Sequence, residues 1–442
     1  MKFNTIDDLL NYTENIKGKT FKEIDSENLL KNQTKLRNKG LLGQIVETGF
    51  YKYPLNNRPE ADFNKLGVEL KVTAYKKNKN SISAKERISL SKIDYNKIVN
   101  EEFEYSKLIS KNSKILIIWY EYEKGKDIGD FKITDYQLYE MKQDEEVFRN
   151  DFNMIKNKVL AGKAHELSEG DTSYLGACTK SSKSTDRTSQ PFSNEPAKPR
   201  AFSLKNSYVT GILRNHLQNE QQTKQFKTVD EYVNYQLKPY FNKNQLEILE
   251  LIKGTPIKKI PKNISKIITN QIIGKDSELP KKDDLFTKTS FIIKNLPITI
   301  NNKPKERMTF KTLKLDEFQD SWDESYWKQF FEETTLITIL WKEPHKQSKN
   351  GERILNKAIK ISFTDDDLES FKKTYEKVQE AIQKQDYTIL PTPHSFENQH
   401  LEIVPKASKG TNIYKTFLEK NNTKISFGFN KNFLDEKLKK LI

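Results

Sequence analysis

The chain has 442 residues, 76 basic against 61 acidic side chains for a formal net charge of +15, and 35% hydrophobic residues. That length exceeds what one core usually organises and points to two domains; the basic excess points to a polyanion, nucleic acid being the commonest, or in the plainer reading to lysine spread over every surface. A single cysteine, Cys178, excludes an internal disulfide framework and a multi-cysteine zinc site, and no apolar run approaches the roughly 18 residues of a membrane span.

The first residues, MKFNTIDDLLNYTENIKGKTF, lack the apolar core of a signal peptide, which fits a cytoplasmic protein. Residues 28–48 are predicted helical, with Glu47 near the end. A strand is expected over 66–75, a second near 86–92, and an apolar strand over 115–122. Phe148, Phe152, Ile155 and Val159 recur at helical spacing and predict a helix over 144–160. Residues 161–205 read as loop-rich, with 181–200 a polar segment that DNA would order. The class implied is α/β, a mixed β-sheet flanked by helices.

The chain also repeats itself. TIDDLLNY at 5–12 returns as TVDEYVNY at 228–235, and KILIIWYEY (114–122) has a counterpart in TLITILWKE (335–343). YLGACTKSSK (174–183) finds EIVPKASKG (402–410), and RAFSLKNSY (200–208) finds SFGFNKNFL (426–434). Matches in one order at a nearly constant offset indicate a duplicated unit. Residues 1–214 and 228–442 are the two expected domains, joined by a polar linker at 215–227.

Within EADFNKLGVELKV (60–72), acids stand where a strand seldom has them. Residues two apart on a strand share a face, so Glu69 and Lys71 project together while Val68, Leu70 and Val72 face a core. Phosphodiester hydrolysis needs an activated water and relief of charge on the phosphate. Mg2+ supplies much of both and favours hard oxygen ligands. Asp62, Glu69 and the main-chain carbonyl of Leu70 are candidate ligands, and Lys71 would stabilise the phosphate or orient the water. Glu47 would deliver a further carboxylate from its helix. As a bare pattern, Glu-x-Lys equally describes a solvated strand face with one ion pair.

In order along the chain, GLLGQIVETGF, EADFNKLGVELKV and KAHELSEGDTSYLGACTK…RAFSLKNSYVTGILRNH resemble the motifs of the MutH mismatch-repair endonuclease family. They resemble more closely its two-domain type II restriction endonucleases, which cut at GATC. The likeness covers essentially the whole chain. It implies duplicated restriction-endonuclease-like domains and a Mg2+-dependent, site-specific deoxyribonuclease. On that resemblance Asp62, Glu69 and Lys71 match the metal-binding and catalytic triad, and Glu47 matches a helix-borne acid. Lys111, with Lys114 as the alternative, matches a second catalytic lysine. The family's DNA-reading loop runs Arg-Pro-Lys; here it is ACTK, so Lys180 carries over while Cys178 and Thr179 depart from the pattern. A base-contacting tyrosine falls on Ser203, and Arg200 and Lys205 are candidate phosphate or base contacts. Solvation is the plainer reading of each.

In the second copy Glu47, Asp62 and Glu69 become Asn270, Leu285 and Ile292, with Lys294 at the place of Lys71 and Asp284 one position from that of Asp62. That half is expected not to cut. Its loop, IVPKASKG, holds Lys406 where the first copy has Lys180, which suggests a domain kept to bind DNA rather than a scaffold. The relatives use this half as an effector that binds another copy of the site. One centre per chain on a palindromic site implies a monomer that dimerises on DNA, or a nick followed by a return. The implied partners are double-stranded DNA with two GATC sites per active complex, and a cognate DNA methyltransferase as a genetic partner. Two readings compete: a MutH-type nicking enzyme of mismatch repair, and a DNA-binding protein without catalysis.

Overall fold

The computed structural model describes residues 3–31, 40–54, 60–78, 81–181, 183, 185–218, 225–275, 279, 285–393, 399–406, 413–420 and 423–442. Helix α1 (Ile6–Thr13) starts at a capping box, Thr5 accepting the Asp8 N–H and Asp8 accepting the Thr5 N–H. Helix α2 (Leu41–Gln44) runs into a π-helical turn, Ile45–Phe50, closed by the Tyr51 N–H on the Val46 carbonyl at 3.1 Å. The helix expected over 28–48 is therefore short. Asp25 takes the N–H groups of Leu29 and Leu30, each at 2.9 Å, and a side chain that captures nearby backbone donors favours a turn over a helix. Residues 32–39 lie outside the described residues. Gly49 is needed where the π-turn meets the preceding chain, because a Cβ there would come within 2.1 Å of the Ile24 carbonyl oxygen.

The main sheet follows. Strand β1 (Val68–Asn78) pairs antiparallel with β2 (Ser81–Ala84) and parallel with β4 (Lys114–Glu121), which pairs antiparallel with β5 (Ile133–Glu140). Its order is β2-β1-β4-β5. Val68, Leu70 and Ala74 of β1 and Leu116 and Ile118 of β4 face one core with α1 and α2, as the alternation requires. Helix α3 (Lys107–Asn112), capped by Ser106, leads into β4, and helix α4 (Glu145–Leu160) buries Phe148, Phe152, Ile155 and Val159.

The loop-rich expectation for 161–205 needs correction. Strands β6 (Leu175–Thr179) and β9 (Arg200–Leu204) pair with each other, and β9 pairs with β3 (Ile88–Lys92), giving a second sheet in the order β3-β9-β6. Between them β7 (Thr188–Gln190) and β8 (Ser193–Ala197) form a hairpin, ordered by the Gln190 side chain, which accepts the Ala164 N–H and donates to the Glu195 carbonyl. Short strands of polar residues carry little periodicity, which hides them from a pattern-based reading. Helix α5 (Asn206–Gln218) then crosses the main sheet. The structure thus carries α5 into the first residues of the expected linker, and 219–224 lie outside the described residues.

The chain divides into two compact units, chiefly Met1–Leu167 with Thr172–Thr223, and Lys224–Phe286 with Ser290–Ile442. The second opens with α6 (Val229–Leu237), capped by Thr228 as α1 is by Thr5, and continues through α7 (Ile264–Ile272). Strand β10 (Phe291–Ile298) lies parallel to β12 (Thr335–Lys342), which pairs antiparallel with β13 (Ile354–Ile361). A second sheet runs β11 (Met308–Thr312), β15 (Ile425–Phe429), β14 (Leu401–Pro405). Senses and order match β1-β4-β5 and β3-β9-β6 of the first unit, strand for strand.

Candidate active site

Gly67, in the left-handed region at φ 63°, ends a 3-10 turn over Asn64–Leu66 and feeds β1. Phe63 and Val68 bridge across that turn, so Asp62 is folded back along the strand it precedes. Its Oδ2 accepts the Leu70 N–H at 2.9 Å. The N–H and C=O of one strand residue leave on the same side, so the Leu70 carbonyl points to the edge where Asp62 lies.

Glu69 is 3% exposed. Its Oε1 receives Lys71 Nζ at 2.7 Å and lies 3.6 Å from Lys111 Nζ, delivered by α3. Its Oε2 is buried with no hydrogen-bond partner among the described residues. Burial raises the Glu69 carboxyl above its ordinary range, against the pull of Lys71. Glu47, half-buried on the π-turn, is pushed up to about 7, first by burial and then by the charges of Asp62 and Glu69, with Lys71 and Lys111 opposing. Those shared influences place three acids and two lysines in one electrostatic neighbourhood. Among the described residues no three acidic, histidine or cysteine side chains converge closely enough to hold a metal. The cluster offers two carboxylates and a strand carbonyl, with an orphaned buried oxygen on Glu69, and such hard oxygens suit a divalent cation.

Other expected site residues separate into two groups. Thr179 and Lys180 are exposed at the end of β6, where Lys180 Nζ reaches Ser89 Oγ at 3.4 Å. Arg200, Ser203 and Lys205 need correction, because they are buried at 3%, 0% and 1% exposure. Arg200 donates to the Ala177 and Leu167 carbonyls at 2.5 and 2.6 Å, and Lys205 to the Thr172 carbonyl at 2.5 Å. Arg200 and Lys205 thus tie β9 and its end to neighbouring chain from within, and none of the three is presented at the surface in this conformation. The sequence reading also missed Asp151, wholly buried on α4, whose carboxylate accepts the N–H groups of Ser173, Tyr174 and Leu175 at 2.7–2.9 Å. An acid inside the apolar stripe of that helix was the available signal.

In the second unit the corresponding positions are apolar or amide. Ile292 stands on β10 where Glu69 stands on β1, Leu285 is 1% exposed, and Lys294 Nζ is held by the Thr309 carbonyl at 2.6 Å. Asp284 lies outside the described residues. Lys406 is exposed just beyond β14. Its N–H bonds the Lys424 carbonyl at 2.7 Å, as the Lys180 N–H bonds the Pro199 carbonyl at 2.8 Å, so both lysines leave matching strands at matching points. A groove of about 600 Å3 lined by Tyr235, Lys238, Tyr240 and Gln271 contains none of these residues.

Comparison with known proteins agrees with this frame. The family model for the DNA mismatch repair enzyme MutH matches residues 51–151, the span that holds Asp62, Glu69, Lys71 and Lys111. A type II restriction enzyme, Sau3AI of Staphylococcus aureus, is 33% identical over 352 residues, covering 74% of this chain and 70% of the relative. The MutH protein of Vibrio parahaemolyticus is 25% identical over 219 residues, 48% of this chain and 95% of its own length.

Proposed function

The chain belongs to the MutH-like type II restriction endonucleases, and from that membership we propose that it cleaves double-stranded DNA at GATC with Mg2+, cutting with its first unit and holding a second copy of the site with its second. It is a site-specific endonuclease, a hydrolase of DNA phosphodiester bonds. The observation that carries the residue assignment is Glu69: a buried carboxylate with one oxygen between two lysines and the other unpartnered.

In this reading Asp62, Glu69 and the Leu70 carbonyl would hold the divalent ion. When bound, the ion lowers the pKa of a water and neutralises phosphate charge. Lys71 and Lys111 crowd the same carboxylate and lie where negative charge builds on the phosphate, so their fixed ammonium groups stabilise it without reorganising. Glu47, near neutral pH in its proton affinity, is poised to exchange a proton with water at the cluster. Thr179 and Lys180 contact DNA from the end of β6, and Lys406 does so in the second unit. One cutting centre per chain favours two chains meeting on a palindrome, with a monomer off DNA. A second bound site raises the local concentration of centres. A cognate methyltransferase is then the genetic partner that protects the host sites. The single centre also supports a second reading, a MutH-type nick of one strand.

The test is digestion of plasmids with several GATC sites, one, or none, in Mg2+, comparing wild type with Glu69→Ala. Linear fragments ending at GATC, absent with the variant and faster from multi-site DNA, are expected. Nicked circles alone would favour the second reading. Intact plasmid, or cutting elsewhere, would overturn the assignment.

A further inference from the structure

The sheet face that carries Glu69 and Lys71 continues into polar residues that the cutting chemistry has not used. The next residue on that face of β1 is Thr73, 3% exposed. Its register partner on β4 is Trp119, fully buried, and Gln137 of β5 is the register partner of Ile117, which lies beside Lys71. Helix α5 roofs this face. Its Arg214 bonds the Ile82 carbonyl of β2 at 2.8 Å, while Tyr208 and His216 bond Tyr139 and Asp135 of β5.

Under that roof Thr73 Oγ1, Trp119 Nε1 and Gln137 Oε1 are buried polar atoms with no hydrogen-bond partner among the described residues, as is Glu69 Oε2. Buried polar atoms are nearly always bonded, so a row of such atoms on one face calls for partners in the space above it. The inventory fits water. An indole N–H only donates, an amide oxygen only accepts, and a hydroxyl does both. A buried water needs two to four such partners. The second unit supplies the contrast. By register, Thr73, Trp119 and Gln137 correspond to Leu296, Leu340 and Ile359, all members of the apolar core there; Ile117 corresponds to Thr338. Where the carboxylates are gone, these three positions are aliphatic, while Thr338 carries a single buried hydroxyl with no partner among the described residues.

We propose that Thr73, Trp119 and Gln137 are positioning residues of the endonuclease: they seat ordered water behind Lys71 and hold its ammonium in register with Glu69. The proposal rests on the cutting role assigned to the first unit. Thr73 is two residues along the strand from Lys71, roughly 7 Å, a span one water bridges. The bond to Glu69 uses one of the three N–H groups of the lysine, leaving others for that water.

The test is single-turnover cleavage of a GATC duplex at saturating protein and Mg2+ across a pH series, with DNA affinity and melting temperature measured alongside. Thr73→Val removes the hydroxyl and keeps the shape. It is expected to slow cleavage roughly tenfold or more and to shift the pH–rate profile, with DNA affinity and melting temperature unchanged. Thr73→Ser is expected to restore most of the rate. The Thr73→Val and Gln137→Leu double variant should be slowed by less than the product of the two single effects, because both disturb one water network. Should Thr73→Val not fold, Trp119→Phe gives the same readout. Wild-type rate and pH profile in Thr73→Val, or equal slowing by Thr73→Ser, would overturn the proposal. Wild-type protein that fails to cut would instead sink the cutting role, whereas active wild type, dead Glu69→Ala and fully active Thr73→Val would sink the water seat alone.

Discussion

Replacing Glu69 by leucine should make the metal-free protein more stable while abolishing cleavage. The carboxylate is 3% exposed, with one oxygen unpartnered among the described residues, and a buried polar atom left so costs about 1–3 kcal/mol. A leucine of similar size removes that cost and keeps its own burial favourable. The loss is the bond to Lys71 and the approach of Lys111. Those lysine side chains keep 23% and 21% exposure and can turn to water, so that pair is worth about 1 kcal/mol or less. The balance is a gain of roughly 1–2 kcal/mol, which for a unit of this size raises its melting temperature by about 2–8 °C. Catalysis should fall at least ~10³-fold, since even one lost charge-stabilising contact costs about 10²–10³. Circular dichroism melts in EDTA, run beside a plasmid digest in Mg2+, read both quantities. Loss of stability together with activity would refute the reasoning, because Glu69 would then be a structural residue rather than an acid kept at a cost to the fold.

Glu47 makes metal-free stability depend on pH. A carboxyl whose pKa rises from 4.5 to about 7 on folding binds a proton more readily in the native state, so stability is highest below the unfolded value and falls as pH rises through that window. The loss is on the order of 1 kcal/mol after allowance for solvent screening; Glu47→Gln should flatten it in urea titrations, and a native slope unchanged by that substitution would contradict the environment described. Asp151→Ala should destabilise the first unit by about 3–5 kcal/mol, since three buried N–H groups lose a charged acceptor, read as a lower urea midpoint. Arg200→Met should cost about 2–3 kcal/mol by freeing two buried carbonyls. Lys180→Ala should leave stability unchanged, yet weaken DNA binding and lower the salt slope by about one; the reverse pattern would exchange the roles assigned to these two residues.

Much of the frame was legible because alternation and helical spacing are local. β1, β4 and α4 lie within a few residues of their expected places. The Asp62, Glu69 and Lys71 pattern was legible too, since strand periodicity alone puts the last two on one face. What failed depended on partners remote in sequence. Asp25 unwinds the expected helix, Gln190 orders a polar hairpin, and Arg200 and Lys205 turn inward because carbonyls 33 residues away accept their protons. A basic residue near a DNA-reading loop looks the same in sequence whether it faces solvent or fastens a sheet.

The second unit holds Ile292 and Leu285 at the places of two of the first unit's acids, and this has a bearing on descent. Building a metal site there by single substitutions would first place an acid at Ile292 or Leu285, with Lys294 already engaged by the Thr309 carbonyl. Each step would bury charge before a second ligand exists to share an ion, and so would cost the fold stability. The aliphatic packing at those places thus acts as a ratchet: each single step toward a metal site there meets the cost of a buried, unshared charge before any ligand set is complete.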